Sequence, residues 1–254
     1  MEVRMAQKDF EDIKLAAHKG DAEVQYRLGL MYYDGDGVAE DLGEAFNYFK
    51  LAADQGHVPA QHWIGGMYEN GDGVVRDLGE AIRYYKLAAD QGEAEAQYSL
   101  GGIYYSGEDV SEDLGEAFRC YKLAADQGFV PAQYHLGRMY YHGYGVAADF
   151  AEAFKYIKLA ADEGDAEAQH WLGSMYHDGC GVSKDSGEAL RYIKLAADQG
   201  DVGAQFDVGI LYYFGAYVAK DLVEAFKYLN LAADQGDVEA QEVLKDMAAK
   251  NKGA

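Results

Sequence analysis

A 36-residue unit recurs six times along this 254-residue chain without an insertion or deletion. Gly20, Gly56, Gly92, Gly128, Gly164, Gly200 and Gly236 keep that step, as do the pairs from Ala60-Gln61 to Ala240-Gln241 and from Glu44-Ala45 to Glu224-Ala225. A fixed period of this length means a stack of like supersecondary units, each resting mainly on its neighbours. Positions that repeat build such a stack. Function is therefore expected at positions that change from copy to copy.

One unit reads as two helices. The first runs from Ala22 to Tyr33 and is stopped by Gly35, repeated at Gly71, Gly107, Gly143, Gly179 and Gly215; glycine accepts the left-handed C′ conformation without a Cβ penalty. A loop valine follows (Val38, Val74, Val110, Val146, Val182, Val218) and is expected to plug the end of the helix pair. Asp41 and its equivalents Asp77, Asp113, Asp149, Asp185 and Asp221 precede a glutamate by three residues, which predicts a capping box worth about 1 kcal/mol. The second helix runs from Leu42 to Asp54. Advancing about 100° per residue gathers Val24, Gln25, Leu28, Gly29, Met31 and Tyr32 on one face of the first helix. Leu42, Ala45, Phe46, Phe49, Ala52 and Ala53 form the buried stripe of the second.

Gly29, Gly65, Gly101, Gly137, Gly173 and Gly209 fall inside the buried arc. A mid-helix glycine costs about 1 kcal/mol against alanine, so its recurrence predicts that two helix backbones touch there. Tyr217 and Asp109 replace the second loop glycine and are expected to bend their loops differently. Ala6 to Lys19 matches a second helix alone, Asp237 to Lys250 a first helix alone, and residues 251–254 read as a frayed tail. The expected organisation is an N-terminal capping half-repeat (1–20), repeats at 21–56, 57–92, 93–128, 129–164, 165–200 and 201–236, and a closing helix with its tail (237–254). This is an all-α superhelix of about fourteen helices.

The unit Ala60-Gln61-His62-Trp63-Ile64-Gly65-Gly66-Met67-Tyr68-Glu69-Asn70-Gly71-Asp72-Gly73-Val74, continued by Asp77, Glu80-Ala81, Tyr84-Tyr85, Ala88-Ala89 and Gln91-Gly92, resembles the Sel1-like repeat, a relative of the tetratricopeptide repeat. The resemblance covers nearly the whole chain. It implies a right-handed α-solenoid whose first helices line a concave surface, and an adaptor or scaffold role in protein complexes. One bacterial branch, with a disulfide in each repeat, is associated with β-lactam binding or hydrolysis. Cys120 and Cys180 are the only cysteines here and sit in different phases of the repeat.

The formal charge of −22 sets an electrostatic preference. An acidic chain repels phosphate backbones and anionic lipid, so nucleic acid and membrane are not expected partners and a basic peptide or protein is favoured. Solubility of a long, tyrosine-rich surface would account for the same charge. Met1 to Phe10 has no apolar stretch resembling a signal peptide, no run reaches a membrane span, and no disulfide pattern is present, which together predict a cytoplasmic location.

The phases that vary on the first helices share one face opposite the core. That face carries Arg27, Leu30 and Asp34; Trp63, Gly66 and Asn70; Ser99, Gly102 and Ser106; His135, Arg138 and His142; Trp171, Ser174 and Asp178; and Asp207, Ile210 and Phe214. Tyr26, Tyr33, Tyr98, Tyr105, Tyr134, Tyr141 and Tyr213 border it. Exposed Trp, Tyr and Arg are the usual anchors of binding surfaces; the alternative is that the tryptophans pack against a neighbouring repeat. His142, His177 and Asp178 are weighed as a zinc set across neighbouring helices, against exposed or tyrosine-bonded histidines. Asp34-Gly35-Asp36-Gly37 has calcium-loop composition but carries Val38 where a third ligand is needed. No serine follows a nucleophile elbow, Cys120 is expected to be buried and inert, and Cys180 lies in a loop. The expectation is a non-catalytic protein- or peptide-binding scaffold with no cofactor and no metal. A β-lactamase-like hydrolase or small-ligand binder on the same array is the alternative, and an indel-free period also suits a recently duplicated or engineered array.

Overall fold

The computed structural model describes residues 2–108 and 111–252. Among them are fourteen helices and no strand: α1 (Glu2–Ala17), α2 (Ala22–Asp34), α3 (Leu42–Ala53), α4 (Val58–Asn70), α5 (Leu78–Ala89), α6 (Ala94–Ser106), α7 (Leu114–Asp126), α8 (Val130–His142), α9 (Phe150–Asp162), α10 (Ala166–Asp178), α11 (Ser186–Asp198), α12 (Val202–Phe214), α13 (Leu222–Asp234) and α14 (Val238–Lys252). Even-numbered helices are the first helices of the repeats. The chain divides into two compact units, Met1–Gln127 and Gly128–Ala254. Within each, every helix packs on its neighbours in sequence.

The helix ends follow local rules, with one departure. Gly35, Gly71, Gly107, Gly143, Gly179 and Gly215 all adopt the left-handed conformation and close their helices. Asp41 accepts the Glu44 backbone N–H at 3.0 Å, and the five equivalent aspartates do the same. The reciprocal arm of the expected capping box is absent. The Asp41 N–H donates instead to the Tyr32 carbonyl at 2.9 Å, and Asp77, Asp113, Asp149, Asp185 and Asp221 repeat this with Tyr68, Tyr104, Tyr140, Tyr176 and Tyr212. Each aspartate thus ties its helix to the one before it. Glu80, Glu116, Glu152, Glu188 and Glu224 pair one turn on instead, as Arg83 with Glu80 at 2.7 Å and Lys155 with Glu152 at 2.9 Å.

The helical glycines mark a close approach, of a side chain in the first unit and of side chain and backbone in the second. A Cβ at Gly29 would lie 2.6 Å from the Phe49 ring, and at Gly65 2.6 Å from Tyr85. At Gly137 it would meet the Ile157 side chain at 2.7 Å with the Ile157 amide at 3.1 Å. At Gly173 it would also meet the Ala189 carbonyl oxygen at 2.9 Å and at Gly209 the Leu229 amide at 3.2 Å. The expected backbone approach therefore holds in the second unit, while at Gly29 and Gly65 a large second-helix ring fills the notch instead. Val38 and Val74 pack against the first core cluster as expected.

Two ladders of side chains stitch successive helices. In the first unit the buried Gln25 donates to the Ala17 carbonyl at 3.1 Å and accepts from Gln55 at 2.6 Å. Gln61 with Gln91, Gln97 with Gln127, and in the second unit Gln169 with Gln199 and Gln205 with Gln235, repeat the arrangement. A buried amide is tolerable because it is bonded at both ends. The second ladder is aromatic. Tyr32 stacks on Tyr48, Tyr68 on Tyr84, Tyr176 on Tyr192 and Tyr212 on Tyr228, with interplanar angles of 6°, 16°, 8° and 8°.

Three expectations about ends and loops need correction. α1 begins at Glu2 rather than Ala6 and stops at Ala17. α14 continues through Asn251 and Lys252, so these residues are helical rather than frayed, while Gly253 and Ala254 lie outside the described residues. Tyr217 does not bend its loop differently: its φ of 64° matches the 72°, 67°, 67° and 72° of Gly37, Gly73, Gly145 and Gly181. A tyrosine is held there in a glycine conformation at a cost of roughly 1–2 kcal/mol. Asp109 and Val110, the other atypical loop positions, lie outside the described residues.

Candidate functional site

In the first unit the variable face centres on Trp63. Its ring stacks on Phe49 (centroids 5.3 Å apart) and receives Tyr33 edge-on at 4.7 Å. Trp63 is therefore half-buried rather than projecting, because α2 and α3 both place aromatics beside it. A cleft of about 220 Å³ opens there, lined by Tyr33, His62, Trp63, Gly66, Met67, Asn70, Asp72 and Glu95. Asn70 donates to Asp72 at 3.4 Å across its mouth. Arg27 and Asp34 are exposed, whereas Leu30 packs onto the core. Tyr98 leans on Tyr121 at 5.5 Å, Ser99 and Tyr105 are half-buried, and the exposed Ser106 donates to the Ile103 carbonyl at 3.2 Å.

In the second unit the corresponding centre is Trp171, three repeats on. Tyr134 and Tyr141 pack against it at 5.9 and 5.5 Å, and His142 at 5.8 Å. Arg138 lies over the rings of both Tyr134 and Trp171, at 5.6 and 5.4 Å, with a buried Nε that makes no hydrogen bond. The arginine expected as a projecting anchor is laid flat by these aromatic faces. Beside it, burial and then the Arg138 charge hold His135 below the ordinary imidazole range. Burial, then the charge of Glu167, pushes the Tyr134 hydroxyl up. A cleft of about 420 Å³ is lined by Tyr134, Glu167, His170, Trp171, Ser174 and Asp201. A second, of about 210 Å³, is lined by Ser174, His177, Asp178, Ile193, Asp207, Ile210, Leu211 and Tyr217. Phe214 is 69% exposed beside Tyr213, whereas Ile210 also packs on the core.

Ser174 lines both clefts; His170 lines the larger one, and its partner Asp207 lines the smaller. The His170 Nδ1 lies 3.0 Å from Asp201 and its Nε2 2.9 Å from Asp207. Burial pulls its pKa down most, but the Asp207 hydrogen bond and the two carboxylate charges together raise it above the ordinary value. Ser174 sits one turn further on, and its hydroxyl donates to the His170 backbone carbonyl at 3.3 Å rather than to the ring. With both ring nitrogens held by carboxylates, no serine–histidine relay is assembled here.

The weighed zinc set does not converge. His177 bonds to the Tyr217 hydroxyl through Nδ1 and lies 3.7 Å from Asp178, while His142 stacks on Tyr144. The cluster that does form among the described residues is His62, Glu93 and Glu95, whose ligand atoms lie within 4.8 Å of one another. Sequence reasoning passed it over because the glutamates lie about one repeat downstream of the histidine. The available signal was that residues one repeat apart sit side by side on neighbouring first helices. Cys120 is buried, which pushes its thiol up to about 11; Cys180 is half-buried, 3.9 Å from the Tyr141 hydroxyl, and both cysteines are free. No helix among the described residues is long and apolar enough to cross a membrane.

Comparison with known proteins agrees with this construction. The Sel1 repeat family model matches residues 22–57, 58–93, 94–129, 130–165, 166–201 and 202–237. A protective antigen present in uropathogenic Escherichia coli strains, described as displaying an SLR fold, superposes with a TM-score of 0.88 at 34% identity over 91% of this chain. The chain spans about half the length of that antigen, 50% of which is covered. A Sel1 repeat protein from Oxalobacter formigenes superposes with a TM-score of 0.78 at 32% identity, covering 90% of this chain and 99% of that one. An immunity protein from Pseudomonas aeruginosa, at 22% identity and a TM-score of 0.52 over 84% of this chain and 80% of its own, shares the fold alone. No curated protein matches the chain closely enough to count as a relative. Six matched repeats, an all-α solenoid build and two relatives above 30% identity place this chain in the Sel1 repeat family.

Proposed function

We propose that the chain is a non-catalytic scaffold that holds basic protein segments against the exposed face of its first helices. Trp63 and Trp171 each wall a pocket for a lysine or arginine side chain. One observation carries this reading: both tryptophan clefts have carboxylates on their walls, Asp72 and Glu95 in one, Glu167 and Asp201 in the other. A cation over an indole face gains about 0.5–1 kcal/mol when exposed and about 2 when desolvated. The carboxylates add a screened attraction, and the net charge of −22 supplies longer-range steering. The open clefts suit side chains of an extended segment better than an enclosed small molecule. The two free thiols support a reducing, cytoplasmic setting.

The reading is tested by affinity capture with mass spectrometry, comparing the wild type with a Trp63→Ala, Trp171→Ala double variant whose helicity is verified by circular dichroism. Loss of most partners on the variant, with lysine- and arginine-rich segments prominent among those lost, is expected. A folded double variant that retains the full set contradicts the proposal.

A further inference from the structure

The geometry around His62 points to a second kind of site. We propose that His62, Glu93 and Glu95 bind one zinc-class divalent transition-metal ion at the edge of the Trp63 cleft.

The distances fit the coordination. A tetrahedral ion with bonds of about 2.0–2.1 Å needs ligand atoms roughly 3.3 Å apart. His62 Nδ1 lies 3.4 Å from Glu95 Oε2, which is such an edge already, and 4.0 Å from Glu93 Oε1. All three ligand atoms lie within 4.8 Å of one another, so the two wider edges, both at Glu93, close by rotation of the glutamate side chains. One imidazole with two carboxylates is a donor set of the zinc type, whereas calcium and magnesium favour oxygen ligands alone.

The surroundings hold the ligands in place. His62 stands in mid-helix on α4, its ring 5.5 Å from that of Tyr85. Glu93 caps α6, and its Oε2 accepts the Ala96 N–H, which leaves Oε1 turned toward His62. That fixed hydrogen bond orients the ligand as an outer-shell contact does. Glu95, on the first turn of α6, is 59% exposed at its side chain and free to close on an ion. Neither glutamate pairs with a lysine or arginine among the described residues. Two carboxylates outweigh the half-charge of the α6 N-terminus, about +0.5. The fourth position faces the cleft shared with Trp63, Asn70 and Asp72, open to water or to a donor from a partner.

Repeat 5 supplies an internal contrast. His170 and Asp201 occupy the phases of His62 and Glu93, but Gly203 stands where Glu95 does, and Asp207 takes the remaining ring nitrogen. That histidine is already closed by two carboxylates on opposite sides. At the His62 phase the other repeats carry Tyr26, Tyr98, Tyr134 and Phe206, none of them a zinc ligand of this type.

The test is calorimetric titration of the chelator-stripped full chain with zinc chloride at neutral pH. A parallel titration with cobalt chloride follows fluorescence quenching in a Trp171→Phe background, where Trp63 is the remaining indole. Expected are one zinc per chain with a dissociation constant on the order of 10 µM and quenching of Trp63 with the same stoichiometry. His62→Tyr, which installs the residue native to that phase elsewhere, and Glu95→Gln should each weaken binding about tenfold or more, whereas His170→Phe should not. No zinc uptake up to about 0.5 mM, or uptake that survives His62→Tyr unchanged, overturns the proposal.

Discussion

The guanidinium of Arg138 lies 5.4 Å from the centre of the Trp171 ring, and its buried Nε makes no hydrogen bond. The arginine is therefore held by aromatic faces rather than by acceptors, and it shields the tryptophan from one side. Its positive charge also reaches His135, which burial already holds low. Arg138→Ala should cost about 1–2 kcal/mol of stability, since it loses both the cation–π contacts and the cover given by the aliphatic stem. It should also raise the His135 pKa. Thermal melts and a histidine NMR titration check the two outcomes separately.

His170 behaves in the opposite sense to His135. Its folded pKa is raised by Asp207 and Asp201, so its contribution to stability is complete below the unfolded imidazole value of about 6.5 and is lost as pH climbs through the higher folded value. His135, held low, costs stability as pH falls below about 6.5. In His170→Phe, which borrows the residue of Phe206, the gain in stability on moving from alkaline to mildly acidic pH should shrink. Chemical denaturation at several pH values measures it, and Asp207→Asn should lower the His170 pKa in the same NMR titration.

The buried glutamine ladder has a broken rung. Gln133 is buried, and its Oε1 has no hydrogen-bond partner. In the other repeats the matching oxygen accepts from Gln55, Gln91, Gln127, Gln199 or Gln235, but the fourth repeat carries Glu163 at that position. A carboxylate has no proton to donate. Glu163→Gln should stabilise the chain by about 1 kcal/mol by satisfying a buried acceptor. Glu163→Ala should give no such gain, and urea denaturation distinguishes the two.

The tyrosine ladder is interrupted in the same way at Cys120. That position faces Tyr104 where other repeats place Tyr48, Tyr84, Tyr192 and Tyr228. Tyr84, Tyr192 and Tyr228 also donate their hydroxyls to Asp54, Asp162 and Asp198. Cys120→Tyr should restore a stack on Tyr104 and a bond to Asp90, for a gain of about 1 kcal/mol in thermal or urea unfolding.

Much of the fold was legible because its determinants are local. Asp41 and Gly35 announce helix ends through their own backbone chemistry, and the 3.6-residue period sorts Leu28 from Arg27 without knowledge of any partner. What failed depended on a second element. The capping box at Asp41 lost its return arm because a carbonyl from the preceding helix, that of Tyr32, took the N–H. At Gly29 the Phe49 ring, not a backbone, fills the notch that the helical glycine opens. On the variable face, a helical angle gives a direction but not a reach. Trp63 and Trp171 leave the helix on the expected side, then fold back onto Phe49 and onto Tyr134 with Tyr141. His62, Glu93 and Glu95 escaped notice because their meeting depends on how α4 sits against α6.

A tryptophan cleft walled by carboxylates should recognise positive charge. The most direct measurement is fluorescence anisotropy of a labelled lysine- and arginine-rich peptide titrated with the chain at two salt concentrations. The wild type is compared with an Asp72→Asn, Glu167→Gln variant that leaves both tryptophans and the helix caps intact. Saturable binding that weakens with salt and falls about tenfold or more in the variant is expected, with no binding of an acidic peptide of equal length. Equal affinity of variant and wild type, or equal affinity for the basic and acidic peptides, would contradict this recognition of positive charge.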